Sequence, residues 1–294
     1  MIPDDITPVI REIDNELKAE GVRPQGRPMA AVIKFGQRFG MSMLIAKPSV
    51  AVSDELMGSW KYSEGIYAWY DEVYGDQTKM DPSANARVVV LADGDLWELR
   101  LPIIYGACSI YADRKLVDSK DEKGVGSSVM NVCNALTDVT QARLDQFSDY
   151  DIGEVFSQFQ IGMDVRHAFD RFLKSNNFFP ESQSDMATAV MQITAQIPNY
   201  GQSRWASLQF AEKFMKGLLK EIDDNPPPFT HKLGELHAEL EKSIPDLNLK
   251  ALLPDVECTA KVRYGEEVST REQAYAAHKS SLLLIRALGS VRYS

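Results

Sequence analysis

The chain has little cysteine, no long apolar run and no excess of positive charge, and each shortage excludes something. Its three cysteines, Cys108, Cys133 and Cys258, are odd in number and far apart. They make neither a disulfide framework nor a paired metal-ligand spacing, and are read as reduced, buried thiols. No stretch approaches the ~20 apolar residues that span a bilayer, so no membrane partner is expected. The opening M-I-P-D-D lacks the basic-then-apolar pattern of a secretory signal, and a cytoplasmic location is expected. Phosphate loops of the G-x-x-x-x-G-K-S type and G-x-S-x-G turns are also missing, as are repeats and low-complexity tracts.

The charge deficit is uneven. The formal net charge is −10, with 16 basic and 23 acidic side chains in residues 1–150 against 16 and 19 in residues 151–294. Residues 187–294 carry 13 of each sign. Broad nonspecific nucleic-acid binding needs a large basic footprint, which this chain lacks. A local basic groove in the C-terminal part is still compatible with these numbers.

What is present is a globular composition. Hydrophobic residues make up 44% and charged residues 25%, enough for a core without staples. Thr7–Ala19 reads as a helix with Thr7 as N-cap and Pro8 at the first position. Gly21–Pro28 reads as a loop. M-A-A-V-I-K-F and S-M-L-I-A-K-P, between residues 29 and 48, read as paired strands. Tyr62–Tyr74 reads as a short helix with an aromatic face. Trp60, Tyr62, Tyr67, Trp69, Tyr70 and Tyr74 could stack bases, but acids rather than arginines interleave them, which favours packing. Asp93-Gly94 between two apolar runs signals a hairpin. Beyond the charged connection Asp113–Gly126 the pattern turns helical, with Val129, Val132, Leu136, Val139 and Leu144 marking one helix. Further helices are expected over Ile152–Leu173, Asp185–Ile197 and Gln202–Ile222.

The fold class expected is an α+β N-terminal part followed by an all-α helical bundle. The expected division is residues 1–125 as the α+β domain, 126–180 as a helical connector and 181–294 as the bundle. In that bundle Trp205, Leu208, Ala211, Met215, Leu218 and Leu219 form one buried stripe, with Lys213, Lys216 and Lys220 opposite. Pro226-Pro227-Pro228 ends the helix. Thr230 is the expected cap of the next, and Ser269 with Glu272 the capping box of the last.

Three fragments of this region resemble the HEPN family of small helical bundles. They are A-E-K-F-M-K-G-L-L at Ala211–Leu219, T-H-K-L-G-E-L at Thr230–Leu236, and Arg263-Tyr264 before the closing helix. Their order and spacing cover about a third of the chain, and nothing in residues 1–180 resembles a known family. The resemblance implies a HEPN-like bundle that forms a homodimer. It also implies either a metal-independent ribonuclease of the toxin, stress or phage-defence kind, or a non-catalytic interaction scaffold, with no cofactor. A protein partner through the N-terminal part is expected.

Catalytic members of that family resemble one another in an arginine followed by a histidine. Here the match is R-E-Q-A-Y-A-A-H, Arg271 to His278. By that resemblance His278 would do acid–base work on an RNA 2′-hydroxyl and Arg271 would steady phosphate charge. Seven residues on a helix return to nearly the same face about 10 Å along the axis. The same residues also fit a solvated first-turn arginine beside a capping Glu and a half-exposed surface or interface histidine, which a motif this short favours. His231 and His237 lie on different faces of their helix with no completing ligands, so a metal site is not expected. His167 reads as a surface residue. G-V-G-S-S at Gly124–Ser128 and S-D-Y-D at Ser148–Asp151 invite comparison with a nucleotidyltransferase, but the acids come too late for two-metal chemistry.

Overall fold

The computed structural model describes residues 2–47, 52–78, 86–104, 108–116, 128–223, 226–244 and 247–291. It is mostly helical, with ten α-helices and four short strands among these residues. Contacts divide the chain into two compact units, Met1–Asp81 and Pro82–Ser294.

Among the described residues of the first unit the regular elements are helices: α1 (Thr7–Ala19), α2 (Arg27–Phe39) and α3 (Asp54–Tyr74). α1 has the bounds read from the sequence, but Thr7 is its first residue, and Asp5 Oδ1 caps the Thr7 N–H at 2.9 Å. The paired strands expected between residues 29 and 48 are a correction. The first is α2, because Ala31, Val32, Phe35 and Gly36 recur at helical spacing on one buried face. A proline in its first turn and Gly40, left-handed at φ 64°, bracket it. Residues 41–47 form no strand, and Ser59 and Ser63 bind the backbone of Leu44 to α3; Pro48 lies outside the described residues.

The aromatic face of α3 packs inward, with Tyr70 fully buried and Tyr62, Tyr67, Trp69 and Tyr74 against the same core. Tyr70 and Tyr74 donate hydroxyls to buried Asp14 at 3.2 and 2.6 Å, and Lys18 pairs with it at 2.7 Å. Burial pushes the Asp14 carboxyl up, but Lys18 and the two hydroxyls outweigh it and hold the group below its ordinary value. Asp14→Ala is therefore expected to cost about 2 kcal/mol in denaturant melts, because Lys18 loses its ion-pair partner and two hydroxyls lose their acceptor.

In the second unit β1 (Arg87–Ala92) and β2 (Asp95–Arg100) form the expected hairpin. Asp93 and Gly94 have φ of 46° and 76°, the double left-handed turn that Asp-Gly favours. Arg143 clamps Asp93 and Asp95 across this turn, each at 2.6 Å. β1 is buried on both faces, which explains its Val88-Val89-Val90 run. β3 (Cys108–Tyr111) and β4 (Ser128–Asn131) pair in parallel.

The helix expected across Val129–Leu144 is a second correction. It is β4, a 3₁₀ turn over Val132–Ala135, and the four-residue α4 (Gln141–Leu144). Buried Asn131 breaks the helix: its Oδ1 accepts from Asp113 and Cys133 N–H, and its Nδ2 donates to Asp113 and Lys115 carbonyls.

The helical remainder is α5 (Asp149–Phe172), α6 (Phe178–Thr194), α7 (Tyr200–Ile222), α8 (Leu233–Ser243), the short α9 (Leu253–Val256) and α10 (Arg271–Ser290). One apolar core runs from Ala86 on the hairpin through α5, α7 and α8 to Leu288 on α10, so the boundaries expected near 125 and 180 fall inside a single unit. Of the S-D-Y-D run weighed for nucleotidyl transfer, Ser148 and Asp151 form the capping box of α5 and Asp149 lies in its first turn; residues 124–127 of G-V-G-S-S lie outside the described residues. The capping box of α10 is Thr270 with Gln273, one residue later than expected. α8 begins after Lys232 without a side-chain cap, and Thr230 instead donates to Glu235.

Candidate functional site

Arg271 and His278 do share a face of α10, and both reach the hairpin. Arg271 Nη1 donates to the Gly94 carbonyl at 2.8 Å, and its Nε pairs with Glu272 at 3.1 Å. His278 is 0% exposed, and its Nε2 accepts the Val89 N–H at 3.2 Å. The object between the two tips is thus the β1–β2 strand and turn. Acceptance at Nε2 puts the proton on Nδ1, which is buried without a partner. Burial pushes this imidazole down to about 4. A neutral ring sealed in the core has no path to an RNA phosphate in this arrangement.

The other histidines divide sharply. His237 is buried; its Nε2 accepts the Leu249 N–H at 3.3 Å and its Nδ1 faces Glu241 at 3.3 Å, latching residues 247–249 onto α8. His167 is exposed on α5. His231 is exposed ahead of α8 and meets buried Glu212 at 3.0 Å. Glu212 adjoins the lysine face of α7 and is nonetheless buried; its partner four residues on, Lys216, was the available signal in the sequence. Among the described residues no group of three His, Cys, Asp or Glu side chains could hold a metal, and no helix is long and apolar enough to cross a membrane. Burial raises the Cys133 and Cys258 thiols to about 11, so both are protonated at neutral pH.

A concavity lies between α5 and α10. A cavity of about 770 Å³ has Ala168, Leu249, Leu252, Leu283 and Ala287 as apolar walls. Asp164, His167, Arg171 and Arg286 supply its polar groups. A second hollow of about 530 Å³ shares Asp164, His167 and Arg286, so the two are continuous along α5. Arg286 Nε pairs with Asp164 at 2.8 Å, both half exposed. Arg171 donates to the Val291 carbonyl at 3.1 Å and lies over the Phe172 ring. The helices can close beneath the groove because Gly289 has no Cβ; one there would stand 2.4 Å from Ala168 Cβ. Chemically this is an apolar trough with two arginines and one carboxylate at its edge, on a chain of net charge −10. Sequence reading missed it because its walls come from three segments far apart in the chain.

Comparison with known proteins yields no match: no family model fits the chain, and no curated protein and no solved structure is significantly similar to it.

Proposed function

We propose that this protein is an interaction module, a HEPN-like bundle that binds a partner protein through the α5–α10 groove. The observation that carries the reading is the groove itself: apolar walls open to solvent and edged by Arg171, Arg286 and His167. Two arginines against one carboxylate give it local positive character on an acidic chain. Its fitting occupant is an acidic segment of another protein with apolar anchors on one face, laid in as a helix in a groove. RNA would find too few cations along the trough to neutralise its phosphates.

The ribonuclease reading through Arg271 and His278 has less support, since both side chains already serve the hairpin. The discriminating experiment incubates structured RNA and transfer RNA with the protein in EDTA, comparing wild type, Arg271→Ala and His278→Ala. The interaction module predicts intact RNA in every tube. Cleavage by wild type that both substitutions abolish, with Arg271→Ala still folded, would overturn it in favour of the ribonuclease.

A further inference from the structure

The segment leading into α8 crosses the face of α7 that carries Gln209, Glu212 and Lys216. Glu212 is 3% exposed, yet it is fully satisfied. Its Oε1 accepts from Lys216 Nζ at 2.8 Å and from His231 Nδ1 at 3.0 Å, and its Oε2 accepts from Gln209 Nε2 at 3.1 Å. A carboxylate held by donors on both oxygens cannot donate, so in the neutral His231 ring Nδ1 is the nitrogen that carries the proton and Nε2 the one that carries the lone pair. The His231 side chain is 71% exposed. Its imidazole thus stands at the surface on a buried, immobile anion, with one ammonium on the same carboxylate oxygen. Lys216 is itself largely buried against Glu212, and Lys220, one helical turn beyond it, adds an exposed cation along that face.

We propose that His231 is a phosphoryl-acceptor site whose Nε2 takes a phosphoryl group from an acyl phosphate. The Nε2 lone pair forms the N–P bond while the bond from phosphorus to the acyl oxygen breaks, and the carboxylate leaves with the electron pair. No proton has to move, because Nδ1 already carries one. The ring becomes cationic in this step, and Glu212 stands against its N–H to neutralise that charge. The phosphoryl oxygens arrive beside the lysine face. The arrangement therefore favours the phosphorylated product over the free ring, which a solvated histidine does not. The added anion changes the charge of the α7–α8 surface in one step.

The test incubates the full-length chain with acetyl phosphate and follows each histidine by mass spectrometry, with phosphorus NMR to identify the N–P bond. His167, also exposed, is the internal reference, so the wild-type comparison needs no variant to fold. His231 is expected to gain phosphate at least ~10-fold faster than His167, and Glu212→Gln to remove that advantage while leaving the His167 rate unchanged. His231→Asn abolishes the fast labelling. Equal rates at the two histidines, labelling indifferent to Glu212→Gln, or breakdown of acetyl phosphate without any labelled histidine would each overturn the proposal.

Discussion

His278→Ala is expected to destabilise the second unit by about 4 kcal/mol, because it opens a cavity in the core and strands the Val89 N–H. The native residue should also make the fold sensitive to mild acid. Its folded value of about 4 lies below its ordinary 6.5, so between these values the unfolded chain binds the proton and the folded one does not. Stability from this group is present in full above pH 6.5 and falls as pH drops toward 4, by about 3 kcal/mol. Chemical denaturation at several pH values reads this directly. The wild-type curve should drop more steeply between pH 6.5 and 4 than that of His278→Ala. Parallel curves would mean that the buried ring is not what titrates.

Gly201→Ala is the second large effect. Gly201 lies in the first turn of α7, where an added Cβ would stand 2.2 Å from the Val262 carbonyl oxygen. A backbone atom cannot rotate away as a flexible side chain does, so the 3₁₀ turn at Ala260–Val262 must shift off the helix. The cost expected is about 3 kcal/mol, near 8 °C in melting temperature. Gly153 on α5 is the control, since a Cβ there meets nothing within 4 Å. Gly153→Ala should be neutral or stabilising by about 0.5 kcal/mol, since alanine suits a helix interior better. A Gly201→Ala melt as high as that of Gly153→Ala would show that Val262 does not press on α7 at this glycine.

The legible parts of this fold are those that local chemistry dictates. The Asp-Gly turn announced the β1–β2 hairpin, and Pro8 announced α1 at its observed bounds. The three-four stripe of α7 buried as its spacing required. The misreadings also have local causes. Val32 and Ile33 suggested a strand, while helical spacing, an early proline and Gly40 decided for α2. The apolar residues from Val129 to Leu144 mimicked a helix because nothing local reveals that Asn131 will bind the distant backbone of Asp113 and Lys115.

The site shows the same division. Helical periodicity correctly set Arg271 and His278 on one face, yet could not tell that a hairpin from residues 87–100 would occupy the space between them. Burial of His278 and of Glu212 depends on which elements pack against them. That is a tertiary fact with no trace in a seven-residue spacing. The groove is less legible still, because α5, α10 and the segment around Leu249 meet only in the folded unit.

The most direct test of the groove is a fluorescence anisotropy titration with a labelled amphipathic peptide, leucines on one helical face and glutamates on the other. Its twin carries lysines in place of the glutamates. Saturable binding of the acidic peptide to wild type is expected, weakened about tenfold or more by Arg286→Glu, with little binding of the basic twin. Absence of saturable binding, or equal binding of both peptides, would contradict it.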